Sequence, residues 1–161
     1  MQHKRTRTMG RVGVCLAFVS SMLMFAVPAS AAAELREHRD DRFSVYLTGD
    51  ELRDGGDGDG AGFAQLDFDL EQERVCYVLT WRSLNGRVTA FHLHEGPRYQ
   101  DGGHWIDFFN ARRFDGEEGT VASCVRTDRW KIRAVLDDPS DYYLNVHTTR
   151  HETGAIRGQL R

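Results

Sequence analysis

Residues 91–96 read Phe-His-Leu-His-Glu-Gly, a pair of histidines near the end of an apolar run that stops at a turn. Side chains in a β-strand alternate between its two faces at about 3.3 Å per residue. His92 and His94 therefore share one face, roughly 6.6 Å apart, and Leu93 lies on the other. The pattern predicts a strand over 88–94 that displays two imidazoles on the same side.

Two more histidines follow comparable signals. Residues 143–148 read Tyr-Leu-Asn-Val-His-Thr, which predicts another strand with His147 near its end. His104 comes directly after a Gly-Gly pair. Because imidazole nitrogens bind copper and zinc, His92, His94, His104 and His147 are candidate metal ligands as well as candidate framework residues.

The rest of the chain has the alternating side chains and turn signals that are typical of a β protein. Residues 43–48 and 64–70 alternate apolar and polar side chains, which is the period of half-buried strands. Residues 75–81 are apolar on both faces, so we predict a central strand there, followed by the strong turn signal Asn85-Gly86. Eight strand-like runs can be counted, the others being 88–94, 105–109, 120–125, 142–147 and 155–160.

One helix interrupts these strands. Asp128 can cap it, Ile132, Val135 and Leu136 follow a helical spacing, and Asp138-Pro139 ends it. Short strands at regular spacing with a single brief helix indicate a sandwich or a barrel. We therefore expect an all-β fold, an antiparallel Greek-key β-sandwich of about eight strands with one short helix.

The Gly/Asp segment 54–60 lies between the first two predicted strands. Its aspartates suggest calcium, but an EF-hand loop starting at Asp57 would place Phe68 at the position of the final Glu. We therefore predict a solvated, flexible loop.

The N-terminus has the signature of a secretory signal peptide. Four basic residues precede the apolar run 12–27, and Pro-Ala-Ser-Ala at 28–31 has the small residues that signal peptidase cuts. The run is shorter than the ~20 residues that span a bilayer, so we expect no membrane span in the mature chain. The predicted organisation is a signal peptide at 1–31, a flexible lead-in at 32–42 and one domain at 43–161, secreted or held in the cell envelope.

The charge of the mature chain excludes two classes of partner. Removing 1–31 takes away four basic residues and no acidic residue, so the formal charge falls from −3 to −7. Nucleic acids and anionic membrane surfaces need clustered positive charge. We therefore expect no nucleic acid and no anionic membrane surface among its partners.

Only Cys76 and Cys124 remain after export. Two cysteines in an oxidising compartment most simply form one disulfide, here closing a loop of 48 residues. Two buried free thiols are the alternative.

The C-terminal sequence resembles a known family. Residues 142–148 read YYLNVHT and 154–160 read GAIRGQL, and together with CYVLT at 76–80 and AFHLHEG at 90–96 they resemble motifs of the CHRD domain, named for chordin. The resemblance covers about 43–161. It implies an extracellular all-β module, accompanied in chordin by growth-factor-binding domains and without an established catalytic role.

A second likeness concerns the histidines. FHLHE at 91–95, followed by Gly-Gly-His at 102–104, is similar to a segment of copper/zinc superoxide dismutases. That likeness implies that His92 and His94 are copper ligands. It also makes His104 a candidate for the position that bridges to zinc and His147 a candidate for the remaining ligand.

A structural interpretation needs no metal. If the strands carrying His147 and Arg157 pair as a hairpin, Asn145, His147, Arg157 and Gln159 form a polar cluster whose members satisfy one another's hydrogen bonds.

The sequence contains no complete catalytic motif, so we expect no enzyme activity and no cofactor. The favoured function is an exported, non-catalytic CHRD-type binding or structural module whose partner is an extracellular protein or a cell-wall polysaccharide. The alternative is a histidine-based copper- or zinc-binding protein, with superoxide dismutase-like activity as the runner-up.

Overall fold

A computed structural model describes residues 41–161. The predicted signal peptide and nearly all of the predicted lead-in lie outside the described residues. The strands are β1 (Arg42–Thr48), β2 (Ala61–Asp69), β3 (Arg74–Arg82), β4 (Val88–Glu95), β5 (His104–Phe109), β6 (Gly119–Arg126), β7 (Tyr142–Thr148) and β8 (Ile156–Gln159), and the helix α1 (Arg129–Asp137) lies between β6 and β7.

All eight strands belong to one antiparallel sheet in the order β5-β4-β7-β8-β1-β2-β3-β6. The two end strands, β5 and β6, contact each other, so the sheet curls into a nearly closed barrel. After β5 and β6, β7 returns to lie beside β4, which is the Greek-key arrangement. The expected all-β fold with one short helix is confirmed.

Alternate side chains of the strands fill the barrel. In β1, Phe43, Val45 and Leu47 are buried and their neighbours are exposed, as the period of two predicts. Aromatic side chains from β3 and β4 pack against each other inside the barrel, with the Tyr77 and Phe91 ring centroids 5.6 Å apart. This core orients the strands and thereby fixes which residues face outward.

The central position predicted for β3 is confirmed, but its outer face is not covered. β3 is flanked by β2 and β6, but only its inner face is buried, and Val78 on its outer face is 39% exposed. No second layer covers this side of the barrel in the described part of the chain. β4 and β7 are instead covered on both faces. In β4, Phe91 and Leu93 enter the core while His92 and His94 lie under loops.

The helix follows the predicted pattern with one difference at its start. Ile132 and Val135 are buried against the core. Asp128 occupies the N-cap position, yet its side chain makes no capping hydrogen bond. The Asp128 carbonyl oxygen accepts hydrogen bonds from the Lys131 and Ile132 amides instead. Between residues 41 and 161 no helix is long and apolar enough to cross a membrane.

The disulfide prediction is confirmed. Cys76 and Cys124 face each other in the β3–β6 pair and are joined by an S–S bond of 2.08 Å. The bond fastens β6, an end strand with much exposed surface, to its only hydrogen-bonded neighbour in the described sheet.

The Gly/Asp segment is less solvated than predicted. Asp57 is only 2% exposed, and its carboxylate accepts hydrogen bonds from the backbone amide and the side-chain amide of Asn85. The His151 Nε2 atom lies 3.9 Å from the same carboxylate. Asp57 therefore ties the segment to the turn that precedes β4.

Candidate metal centre

Three neighbouring strands present the histidines on the outer face of the barrel. β4 lies between β5 and β7, and its register places His94 opposite His104 on one side and His92 opposite Asn145 on the other. His147 stands opposite Ala90, two residues from His92. The Greek-key order thus brings together all four histidines that the sequence singled out.

Three of these histidines form a compact, buried group. His92, His94 and His147 are 3%, 6% and 9% exposed. One ring nitrogen from each lies within 4.8 Å of the other two. The His92 ring centroid is 4.9 Å from that of His147 and 5.8 Å from that of His94. We call these three residues the histidine cluster.

Loop carbonyls fix the orientation of two rings. The Nδ1 atom of His94 lies 3.0 Å from the Gly102 carbonyl oxygen, and that of His147 lies 2.9 Å from the Glu152 carbonyl oxygen. A carbonyl oxygen only accepts, so each Nδ1 carries the proton. Each Nε2 then holds a free lone pair, which is the state that metal-binding histidines adopt when a carbonyl orients them.

The lone pairs are buried and unused within the described residues. The Nε2 atoms of His94 and His147 and both ring nitrogens of His92 have no hydrogen-bond partner there. The Asp107 carboxylate is 3.6 Å from His92 Nε2, beyond hydrogen-bonding distance. Buried polar atoms without partners each cost about 1–3 kcal/mol, so a group of them at one point is a candidate ligand site.

Burial keeps the cluster uncharged at neutral pH. The pKa of His92 and that of His94 are both lowered to about 4. Burial is the largest cause, and the neighbouring histidines also contribute. Burial also holds the pKa of His147 below its usual range. Neutral imidazole is the form that binds a metal ion, so binding needs no prior loss of a proton.

His104 stands at the entrance to the cluster. Its ring centroid is 4.2 Å from that of His92 and 4.6 Å from that of His94, but its side chain is 51% exposed. Its Nδ1 atom is 3.3 Å from Asp107 Oδ1, and His92, His104 and Asp107 form a second possible ligand group. His104 could therefore bind an ion held by the histidine cluster, or it could turn away from that ion into solvent.

A cavity of about 390 Å³ reaches the cluster from solvent. It is lined by His92, His104 and His147 together with Arg113 and Glu152. A larger groove of about 680 Å³ runs over the disulfide on the opposite part of the sheet, but no histidine lines it. Solvent thus reaches His92, His104 and His147 through the smaller cavity.

The predicted polar cluster divides into separate sets of contacts. Arg157 donates a hydrogen bond of 3.2 Å to the Gln159 side chain. Asn145 donates to the Thr153 carbonyl oxygen, and His147 donates to that of Glu152. Sequence reasoning missed the carbonyl groups of Gly102 and Glu152, since a backbone atom gives no signal in side-chain identity.

Fold and site together define a small Greek-key barrel with a candidate binding site on its outer face. The CHRD domain family matches residues 43–160. The chain therefore belongs to the CHRD domain family. Neither the curated proteins nor the solved structures contain a match to this chain.

Proposed function

We propose that the protein is an exported CHRD-type binding module that holds one copper or zinc ion in the histidine cluster. The observation that carries this proposal is the convergence of buried, unpartnered ring nitrogens from His92, His94 and His147 within 4.8 Å of one another. The described residues supply no hydrogen-bond partner for these nitrogens, which leaves their lone pairs available to a metal ion.

The spacing of the nitrogens suits a single ion. Two nitrogens bound to one ion at about 2.1 Å lie at most about 4.2 Å apart. The three nitrogens lie within 4.8 Å of one another and would come closer by ring rotation to share one coordination sphere. His104 at the entrance offers a fourth nitrogen.

The ligand set favours copper. It contains imidazole nitrogens and no thiolate, because both described cysteines are joined in the disulfide. Imidazole suits copper and zinc, and copper has the higher intrinsic affinity for a nitrogen site. We therefore expect Cu(II) to bind more tightly than Zn(II).

Export and a non-catalytic role complete the proposal. The signal-peptide pattern at 1–31 and the Cys76–Cys124 disulfide support an extracellular or envelope location. The bound ion would stabilise the outer face of β4, β5 and β7, and the expected partner of the module is an extracellular protein or a wall polysaccharide. Superoxide dismutation is the second candidate, favoured by the cavity that leads to the cluster and by the exposed His104.

Metal analysis of the exported protein tests the proposal. The mature protein, purified without a His tag, is loaded with copper or zinc and freed of excess metal. The expected content is close to one ion per chain for the parent and near zero for His92→Ala/His94→Ala. His151→Ala, which removes a histidine outside the cluster, should bind like the parent.

Equal trace amounts of metal in the parent and the double variant would overturn the proposal. The copper-loaded parent is also assayed for superoxide dismutation. Turnover that disappears in the double variant would replace the non-catalytic role with the second candidate.

A further inference from the structure

A stacked column of three side chains lies behind the metal centre. β7 runs between β4 and β8, so the Tyr143 ring lies between His94 and Arg157. The His94 and Tyr143 rings are nearly parallel, 13° apart in plane, with centroids 4.9 Å apart. The Arg157 guanidinium carbon is 3.4 Å from the Tyr143 ring centroid. This is a cation–π contact on one side of the tyrosine and a stacking contact on the other.

Arg157 is fully buried, and within residues 41–161 no carboxylate lies in hydrogen-bonding distance of it. Its exposure is 0%, and the closest carboxylate contact recorded for the described residues is Asp101 Oδ1 at 3.8 Å. Its guanidinium nitrogens donate instead to the carbonyl oxygens of Gln100, at 2.9 Å, and Pro97, at 3.0 Å. Burying a charge costs free energy, so the contacts made by the buried guanidinium indicate its structural role.

Those contacts fix the loop that connects β4 to β5, residues 96–103. Gln159 donates to the Gly96 carbonyl oxygen at the start of this loop. Near its end, the Gly102 amide donates to the Tyr143 hydroxyl oxygen at 3.1 Å. A Cβ atom on Gly102 would lie 1.5 Å from the Glu95 carbonyl oxygen, so the close approach of the loop to β4 requires glycine here.

The loop in turn sets the proton position on a cluster histidine. The Gly102 carbonyl oxygen accepts the hydrogen bond from His94 Nδ1, and this leaves Nε2 free. If the loop moved away, His94 would lose the acceptor that selects the Nδ1–H tautomer. The other tautomer carries its proton on Nε2, which then has no lone pair for a metal ion.

We propose that Arg157 and Tyr143 are positioning residues for the metal centre: they hold the 96–103 loop so that the Gly102 carbonyl keeps His94 in its metal-binding tautomer. The proposal rests on the proposed function for its consequence, which is metal affinity. The tautomer of His94, which these two residues are proposed to set, can be measured without metal.

The first measurement is the ¹⁵N NMR spectrum of histidine-labelled protein in the presence of a chelator at pH 7.5. The parent should show His94 protonated on Nδ1 only. Arg157→Met removes both carbonyl contacts and the guanidinium stack, and we expect a mixture of His94 tautomers. Tyr143→Phe keeps the ring but removes the acceptor for Gly102, so its effect should be smaller in the same direction.

The controls separate positioning from a general loss of stability. His147 is an internal control, because its Nδ1 proton goes to the Glu152 carbonyl outside this loop and should stay in place in each variant. Val135→Ala, in α1 of the core, lowers stability without touching the loop, so it should retain the parent spectrum.

The second measurement is the copper dissociation constant. Residues that orient a metal ligand typically change affinity by about 10–100-fold when they are replaced, which is the rise expected for Arg157→Met. A folded Arg157→Met with the parent tautomer and the parent dissociation constant would overturn the proposal. If this variant does not fold, Tyr143→Phe decides in the same way. A parent that binds no copper refutes the proposed function, whereas the tautomer spectra still decide the positioning claim.

Discussion

Acid is expected to destabilise the protein, in the presence of a chelator, because His92 and His94 are buried as neutral rings. Burial is the largest cause that lowers each pKa from 6.5 to about 4. The unfolded chain retains a pKa near 6.5, so below that pH it takes up protons that the folded protein does not. The stability from these groups is therefore fully present above about pH 6.5 and is lost as the pH falls to about 4.

The expected loss is large for a single domain. A histidine with a pKa of about 4 when folded and 6.5 when unfolded costs about 3 kcal/mol of stability at pH 4, with a slope of about 1.4 kcal/mol per pH unit between the two values. Domains hold roughly 5–15 kcal/mol in total. The charged or titratable groups facing the two rings are His104, His147, Asp107 and Arg157.

Urea unfolding at several pH values between 7.5 and 4.5, with a chelator present, measures this loss. His94→Gln removes one buried titrating group but leaves the facing groups in place. Its unfolding free energy should fall less steeply with acid than that of the parent, by about 1.4 kcal/mol per pH unit. Val135→Ala should lower the free energy at every pH and keep the parent slope. A parent slope retained in His94→Gln would refute the reasoning.

Two further predictions concern stability. Replacing Cys76 and Cys124 together by serine should lower the free energy of unfolding by about 4 kcal/mol, because the unfolded chain regains the freedom of a 48-residue loop. Urea unfolding with and without reductant measures it, and an unchanged midpoint would contradict it. Asp57→Ala should cost about 1–3 kcal/mol because the buried Asn85 contacts are lost. Asp54→Ala, at an exposed position, is the control, and equal effects of the two would exclude this role.

Much of the fold could be predicted because strand formation is encoded locally. The alternation in 43–48 and 64–70 predicted β1 and β2, since one face of each strand enters the core. The disulfide was predictable because two cysteines allow only one intramolecular pairing. The central position of β3 was predictable as well, whereas the exposure of its outer face was not, because side-chain apolarity does not reveal whether a second layer covers a strand.

The burial of Asp57 could not be predicted from the composition of its loop. The Gly/Asp segment has the make-up of a solvated loop, yet this one carboxylate is buried by a turn 28 residues further along the chain. Nothing within 54–60 distinguishes Asp57 from its neighbours. Its partner is supplied by the barrel, not by the segment.

The sequence by itself determined that His92 and His94 share a strand face, because the side-chain period of a strand is two. It also determined that His147 is on the face of β7 opposite Val146. Only the tertiary structure decided that β4 and β7 are neighbours, since this pairing joins strands separated by β5, β6 and α1. The tertiary structure likewise supplied the Gly102 and Glu152 carbonyls that orient the rings, because backbone groups are the same at every residue and only the fold assigns them partners.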